Sequence, residues 1–206
     1  MKKFVLYTAI FGRMGRGVHS PEISIPNIDR FCFTDLDIKN DFYQIEKMNL
    51  DHISLISIRQ QRFIKICIPD EIFDNYEYSV YVDCKRESVI DFEWLLSFME
   101  PQSDFVTRQH KTRDCIYEEG RVCIEKRKDD EATILKQLDF YRSENYPVHN
   151  GLHYSYILLR RHTNRLREFS KLWWEQIEKY SYRDQISLPY VTWKHDMKIS
   201  ICPRSR

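Results

Sequence analysis

The chain has 206 residues, 31 % of them charged, and a formal net charge of +1. That length supports one domain with a substantial core, and the balanced charge excludes the chain-wide basic surface of a nucleic-acid binder. Aromatic residues make up 14 % against only 5 glycines, the composition of a folded domain with aromatic-lined pockets and not of a disordered one.

Phe4–Ile10 is an apolar run of β character, closed by Gly12 and a loop carrying Arg13 and Arg16. Arg30–Thr34 reads as a second short strand, with the polar turn Asp35–Asn40 after it, and Ile53–Ile58 reads as a third. Arg59–Ile68 winds as a helix that places Arg59, Arg62 and either Lys65 or Ile66 near one face. Pro69 ends it.

Asn75–Lys85 is the sharpest segment. Tyr78, Val80 and Val82 share one face of a strand, and Ser79, Tyr81 and Asp83 the other. Asp91–Met99 reads as a helix with Phe92, Leu95, Leu96 and Met99 inward, and Asp104–Thr107 as a short strand. Thr112–Ile124 and Asp129–Tyr146 are helical, the second with the stripe Ile134, Leu135, Leu138 and Tyr141. A turn at Pro147 and Asn150-Gly151 precedes the strand Tyr154–Arg160. Asn164–Tyr180 is the clearest helix, capped by Asn164, with Leu166, Phe169, Trp173, Ile177 and Tyr180 on its apolar face. Strands alternating with helices predict an α/β fold around a mainly parallel sheet.

Several residues stand where chemistry is done. An acid at the carboxyl end of an apolar strand is where an open α/β sheet presents ligands, so Asp83 reads either as a ligand of a divalent metal or as a turn residue. Arg13, Arg16, Arg59, Arg62 and Lys65 either bind phosphate or form a solvated basic face. Ser181 with Asp184 fits an S-x-x-D helix start. Beyond capping, Asp184 is placed to accept a hydroxyl proton or hold a sugar hydroxyl, and Gln185 to do the latter. His195 reads as a second metal ligand or as an ordinary surface or core residue. The run Arg160–Arg167 touches an anion or is a solvated loop and first helical turn.

The cysteines at positions 32, 67, 84, 115, 123 and 202 form no C-x-x-C and no zinc-finger spacing. Cys32 and Cys67 lie in apolar runs, and a reducing, cytoplasmic site of action is the simpler expectation. No apolar stretch approaches the ~18–20 residues that span a bilayer. The N-terminus lacks a small-residue cleavage site and reads as a first strand, not a signal peptide.

Taken in order, Tyr7-Thr-Ala-Ile-Phe-Gly12, Phe31-Cys-Phe-Thr-Asp35, the basic helix and Tyr76–Asp83 resemble a glycosyltransferase-like family, formerly catalogued as a domain of unknown function, with bacterial, plant and viral members. The resemblance continues through Arg113–Glu119, Gln137 with Tyr141, Gly151-Leu152, Arg161-His162, Trp173-Trp174 and Arg183-Asp-Gln185. It implies a GT-A, Rossmann-like α/β fold, with a mainly parallel, mixed central sheet flanked by helices. The single domain would span residues 1–206, with a nucleotide-binding half at about 1–110 and an acceptor-side half at about 111–206.

The implied activity is metal-dependent transfer of a hexose or deoxyhexose from a nucleoside-diphosphate sugar, UDP-hexose first, to a hydroxyl acceptor in glycan or polysaccharide synthesis. Of the Asp-any-Asp motif common in that fold only the last acid stands here, in Tyr81-Val82-Asp83. By this resemblance Asp83 and His195 would hold Mn2+ or Mg2+. Thr8 and Ala9 would border the nucleobase, and Arg13, Arg59, Arg62 and Lys65 the phosphates. Asn150 and Gly151, with Asp184 and Gln185, are similar to sugar-contacting motifs of glycogenin-type retaining enzymes. A non-catalytic nucleotide-sugar or glycan-binding module is the alternative, and a metal-dependent phosphodiesterase a further one.

Overall fold

The computed structural model describes residues 2–12, 17–84 and 89–203. Seven strands form one sheet in the order β4-β3-β1-β5-β8-β7-β9. They are β1 (Lys2–Ile10), β3 (Asp29–Thr34), β4 (Gln44–Lys47), β5 (Tyr76–Val82), β7 (Phe105–Gln109), β8 (His153–Arg161) and β9 (Ser200–Cys202). The short strands β2 (Glu22–Ile23) and β6 (Val89–Ile90) pair separately. Within the large sheet only β8 runs antiparallel, between β5 and β7. This is the mixed, mainly parallel α/β arrangement expected from the alternation of elements.

Seven helices complete the described chain: α1 (Ser57–Cys67), α2 (Asp70–Asn75), α3 (Phe92–Leu96), α4 (Ile116–Glu125), α5 (Glu131–Ser143), α6 (Asn164–Lys179) and α7 (Asp184–Lys194). The strand alternation in β5 sorts its side chains onto two faces. Val80 and Val82 join one buried cluster with Phe92 and Leu95 of α3. Tyr81 joins the other, with residues of α1, α4, α5, α6 and α7.

After β1 the chain crosses to β3 and β4 on one side, then returns to β5 on the other. The carboxyl ends of β1 and β5 therefore diverge into a crevice, the position where open α/β sheets bind ligands. Gly12, just past β1, has φ +79°, and a Cβ there would run into the Ser57 side chain at the start of α1. Glycine lets β1 and α1 close up around that crevice.

Three local expectations are corrected. Ile53–Ile58 is not a strand: Leu50 turns the chain back through its carbonyl, Leu55 and Ile56 are exposed, and α1 starts at Ser57. An edge strand at Gln44–Lys47 takes its place, polar enough to carry no strand signal. Leu135 faces solvent, and Ile134, Leu138 and Tyr141 face inward together with Gln137. Thr163, not Asn164, caps α6, its hydroxyl accepting from the Leu166 N–H at 3.1 Å.

Candidate functional site

Two cavities adjoin at the crevice. The first, about 570 Å³, lies between the ends of β1 and β5 and the first turns of α1, lined by Ala9–Gly12, Ser57, Ile58, Gln61, Arg62, Asp83 and Cys84. The second, about 470 Å³, shares Arg62 and Asp83 with it and continues over Arg108, His110, Arg113, Lys128, Arg183, Asp184 and Gln185.

Asp83 follows β5, and its Oδ1 accepts from the Tyr81 hydroxyl at 3.1 Å and from Gln61 Nε2 at 3.3 Å. One helical turn after Gln61, Lys65 sends a fully buried ammonium under the site. Its Nζ lies 2.6 Å from Asp184 Oδ2 and 3.4 Å from Asp83 Oδ1. Arg62 Nε stands 3.4 Å from the same Asp184 oxygen, and its other end donates to Gln61. The α1 sequence places a basic residue at each of these positions, so one helix face meets both carboxylates.

Asp184 opens α7 but does not cap it; the capping position is Arg183, and Ser181 Oγ instead donates to Asp129 and accepts from the Arg183 N–H. The S-x-x-D pattern is therefore no capping box here. Burial opposes ionisation of Asp184, but Arg62, Lys65 and Arg183 outweigh it and hold the carboxyl well below the usual carboxylate range. For Arg62 burial works against the charge as well, and Asp184 and Asp83 more than restore it.

Three loops bring the rest together. Asp129 accepts from Ser181 Oγ and from the Tyr182 N–H at 3.0 Å, while the Tyr182 hydroxyl donates to the Lys128 carbonyl at 2.7 Å. These bonds lock the α6–α7 turn onto the α4–α5 connection and set Lys128 beside Arg183. Arg113 forks onto buried Glu119 at 2.5 and 2.9 Å. His110 Nδ1 accepts from the Arg113 N–H at 3.0 Å. Burial, then the Arg113 charge, push its pKa below the ordinary histidine value. Gln185 is 9 % exposed, and its Nε2, like Arg183 Nε, is a buried donor with no hydrogen-bond partner among the described residues.

Of the residues singled out from sequence, Ala9, Arg62, Asp83, Asp184 and Gln185 line the two cavities, and Lys65 lies directly beneath them. Thr8 is buried, its hydroxyl donating to the Val82 carbonyl at 2.7 Å. Arg59 turns away to the carbonyls of Ile177 and Tyr180 at the end of α6. Asn150 is exposed with its amide toward the Tyr146 hydroxyl, and Gly151 leads into β8, whose Tyr154, Ser155 and Tyr156 reach the second cavity. Arg13 and Arg16 lie outside the described residues. The run 160–167 is structural: Arg161 and Arg165 pair with Asp104, Arg167 with Asp70 and Asp74, and Arg160 is buried. Sequence reading assigned no site role to Arg108, His110 or Lys128, because nothing in their local pattern marks them.

His195 requires correction as a partner of Asp83. It is exposed at the far end of α7, about 16 Å along the axis from Asp184 at ~1.5 Å per residue. The donor set does not fit a divalent cation. Lys65 Nζ already occupies the gap between Asp83 and Asp184, and Arg62 flanks it. Among the described residues no group of three or more His, Cys, Asp or Glu side chains converges for metal binding.

Among the described residues no helix is long and apolar enough to cross a membrane. A family model described as TOD1/MUCI70, glycosyltransferase-like domain, matches residues 2–202. The Arabidopsis thaliana protein named probable hexosyltransferase MUCI70 is 28 % identical over 130 residues, 58 % of this chain, which spans 22 % of that relative's length. The apo crystal structure of mouse xyloside xylosyltransferase 1 aligns at a TM-score of 0.47 and 9 % identity, over 98 % of this chain and 84 % of that one. The family match takes in every strand and helix described above, and this chain belongs to the TOD1/MUCI70 glycosyltransferase-like family.

Proposed function

We propose that the protein transfers a hexosyl group from a nucleoside-diphosphate sugar to a hydroxyl acceptor, on a GT-A-type sheet. The observation that carries this reading is the pair of adjoining cavities that share Arg62 and Asp83 at the ends of β1 and β5. The first, walled by Ala9, Ile10, Phe11 and Ile58, suits a flat base and its ribose. The second is polar and rich in cations, as a diphosphate and a sugar require.

Transfer breaks the bond between the anomeric carbon and the diphosphate oxygen and forms one to the acceptor oxygen, whose proton passes to the departing diphosphate or to water. Asp184 is already engaged by Lys65 at 2.6 Å and by Arg62 at 3.4 Å, which favours a sugar-holding carboxylate over a general base. Its role is to accept hydrogen bonds from sugar hydroxyls, with Gln185 donating beside it. The leaving diphosphate lies toward Arg62.

The test is release of nucleoside diphosphate from a panel of UDP-, GDP- and ADP-hexoses, with and without oligosaccharide acceptors. Acceptor-stimulated release from one donor is expected. Binding without turnover for every donor and acceptor would leave a binding module, and no binding at all would overturn the reading.

A further inference from the structure

The second cavity carries more positive charge than its own carboxylates use. Arg62, Arg113, Lys128 and Arg183 line it and Lys65 lies just behind its wall, against Asp83, Glu119 and Asp184, five cations to three acids. Arg113 satisfies Glu119 at 2.5 Å, and Lys65, just behind the wall, satisfies Asp184 at 2.6 Å. Arg183 keeps a buried Nε with no partner among the described residues, and so does the amide nitrogen of Gln185, which is nine-tenths buried. Both residues line the polar cavity, and a buried donor without an acceptor is costly unless a ligand supplies one.

The excess of two positive charges equals the charge of a nucleoside-diphosphate sugar. Between Asp83 and Asp184 the chain has placed its own ammonium. A second cation there would face Lys65 and Arg62 at close range in a buried setting, where like charges repel strongly.

Resting on the donor reading above, we propose that this chain neutralises the diphosphate with Arg62, Lys65, Lys128 and Arg183 in place of a divalent metal. Lys65 pairs with both Asp83 and Asp184, and Arg62 with Asp184, which sets the two side chains to receive ribose and sugar hydroxyls. Lys128 and Arg183, on the turns locked together through Asp129 and Tyr182, reach the phosphate oxygens from the opposite wall. Bond cleavage leaves its electron pair on the departing diphosphate oxygen, and these four cations take up that charge.

The experiment is calorimetric titration of the whole chain with UDP, GDP, ADP and CDP, in EDTA and again in Mn2+ or Mg2+. One of them is expected to bind in EDTA with an affinity within about threefold of that with metal, and with marked weakening as salt is raised. Lys128→Gln, at a partly exposed position, is expected to keep the melting temperature and to weaken binding about tenfold in EDTA, as loss of a charged hydrogen bond does. Binding that appears only with the divalent ion, or a Lys128→Gln variant that binds like wild type, would overturn the inference and leave the donor reading intact. No binding under either condition would overturn both.

Discussion

Arg160 Nη1 donates to the main-chain carbonyl oxygen of Lys65 at 2.7 Å, joining the middle of the sheet to the last turn of α1. Its Nη2 donates to the Tyr7 hydroxyl on β1. Burial, partly offset by Arg160, pushes the Tyr7 phenol up to about 12, so it stays neutral and able to accept. One buried guanidinium thus holds the helix end from which the Lys65 ammonium rises to Asp184. Arg160→Met is expected to lower stability by roughly 2–3 kcal/mol, because the Lys65 carbonyl loses a charged donor inside the protein. Urea unfolding measures this, and an unchanged midpoint would show that α1 is held in place by other contacts.

Asp184→Asn separates two roles. As a helix cap, Asn would serve nearly as well, at a cost of a few tenths to about 1 kcal/mol. As the counter-ion of Lys65 and Arg62, the carboxylate cannot be replaced by an amide without leaving buried charge unmatched, at roughly 3–5 kcal/mol. The geometry at 2.6 Å from Lys65 selects the second outcome. Melting of the variant within a degree or two of wild type would return Asp184 to a capping role.

Gln185→Leu distinguishes a ligand contact from a structural one. Gln185 Nε2 has no partner among the described residues, so removing it should leave stability unchanged or slightly raised. A hydrogen bond to the sugar, worth about 1 kcal/mol, would be lost, raising KM for the donor about fivefold. A large drop in melting temperature would place Gln185 in the fold instead.

Acid sensitivity should begin with histidine. His162 faces the Tyr76 carbonyl at 2.7 Å and Ser79 Oγ at 2.8 Å, and burial chiefly holds its pKa at about 4. His153, also buried, is likewise held at about 4. The unfolded chain takes up these protons near pH 6.5 and the folded chain does not. Stability is therefore full above about pH 6.5 and falls as pH drops toward about 4, each group costing roughly 1.4 kcal/mol for every pH unit crossed in that window. Exposed His149, raised by Asp114, acts in the opposite direction. Asp184 gives up its contribution only at lower pH, below the ordinary carboxylate range. Urea midpoints at pH 7.5 and 4.5 should differ markedly in wild type and less in His162→Gln. Equal slopes would mean that His162 is protonated in the folded state.

The sequence by itself determined the α/β class, the strand ending at Asp83, and the helix carrying Arg62 and Lys65. Their signals are local: strand alternation in Tyr76–Val82, a basic residue at each third position of α1, and a glycine where β1 must turn tightly. It also singled out Asp184 as a helix-start carboxylate facing a pocket or as a cap, and α7 does start there with Asp184 lining the second cavity and not capping. Only the tertiary structure decided what these residues meet. Lys65 and Asp184 are far apart in the chain, and no periodicity could reveal that a buried ammonium fills the gap between two acids. The same holds for Lys128 and Arg183, on turns joined through Asp129 and Tyr182. His195 had the right chemistry for a metal ligand, but the length of α7 carries it away from Asp83. Residue type announces which chemistry is available, whereas long-range packing fixes which charges are matched within the protein and which are left for a ligand.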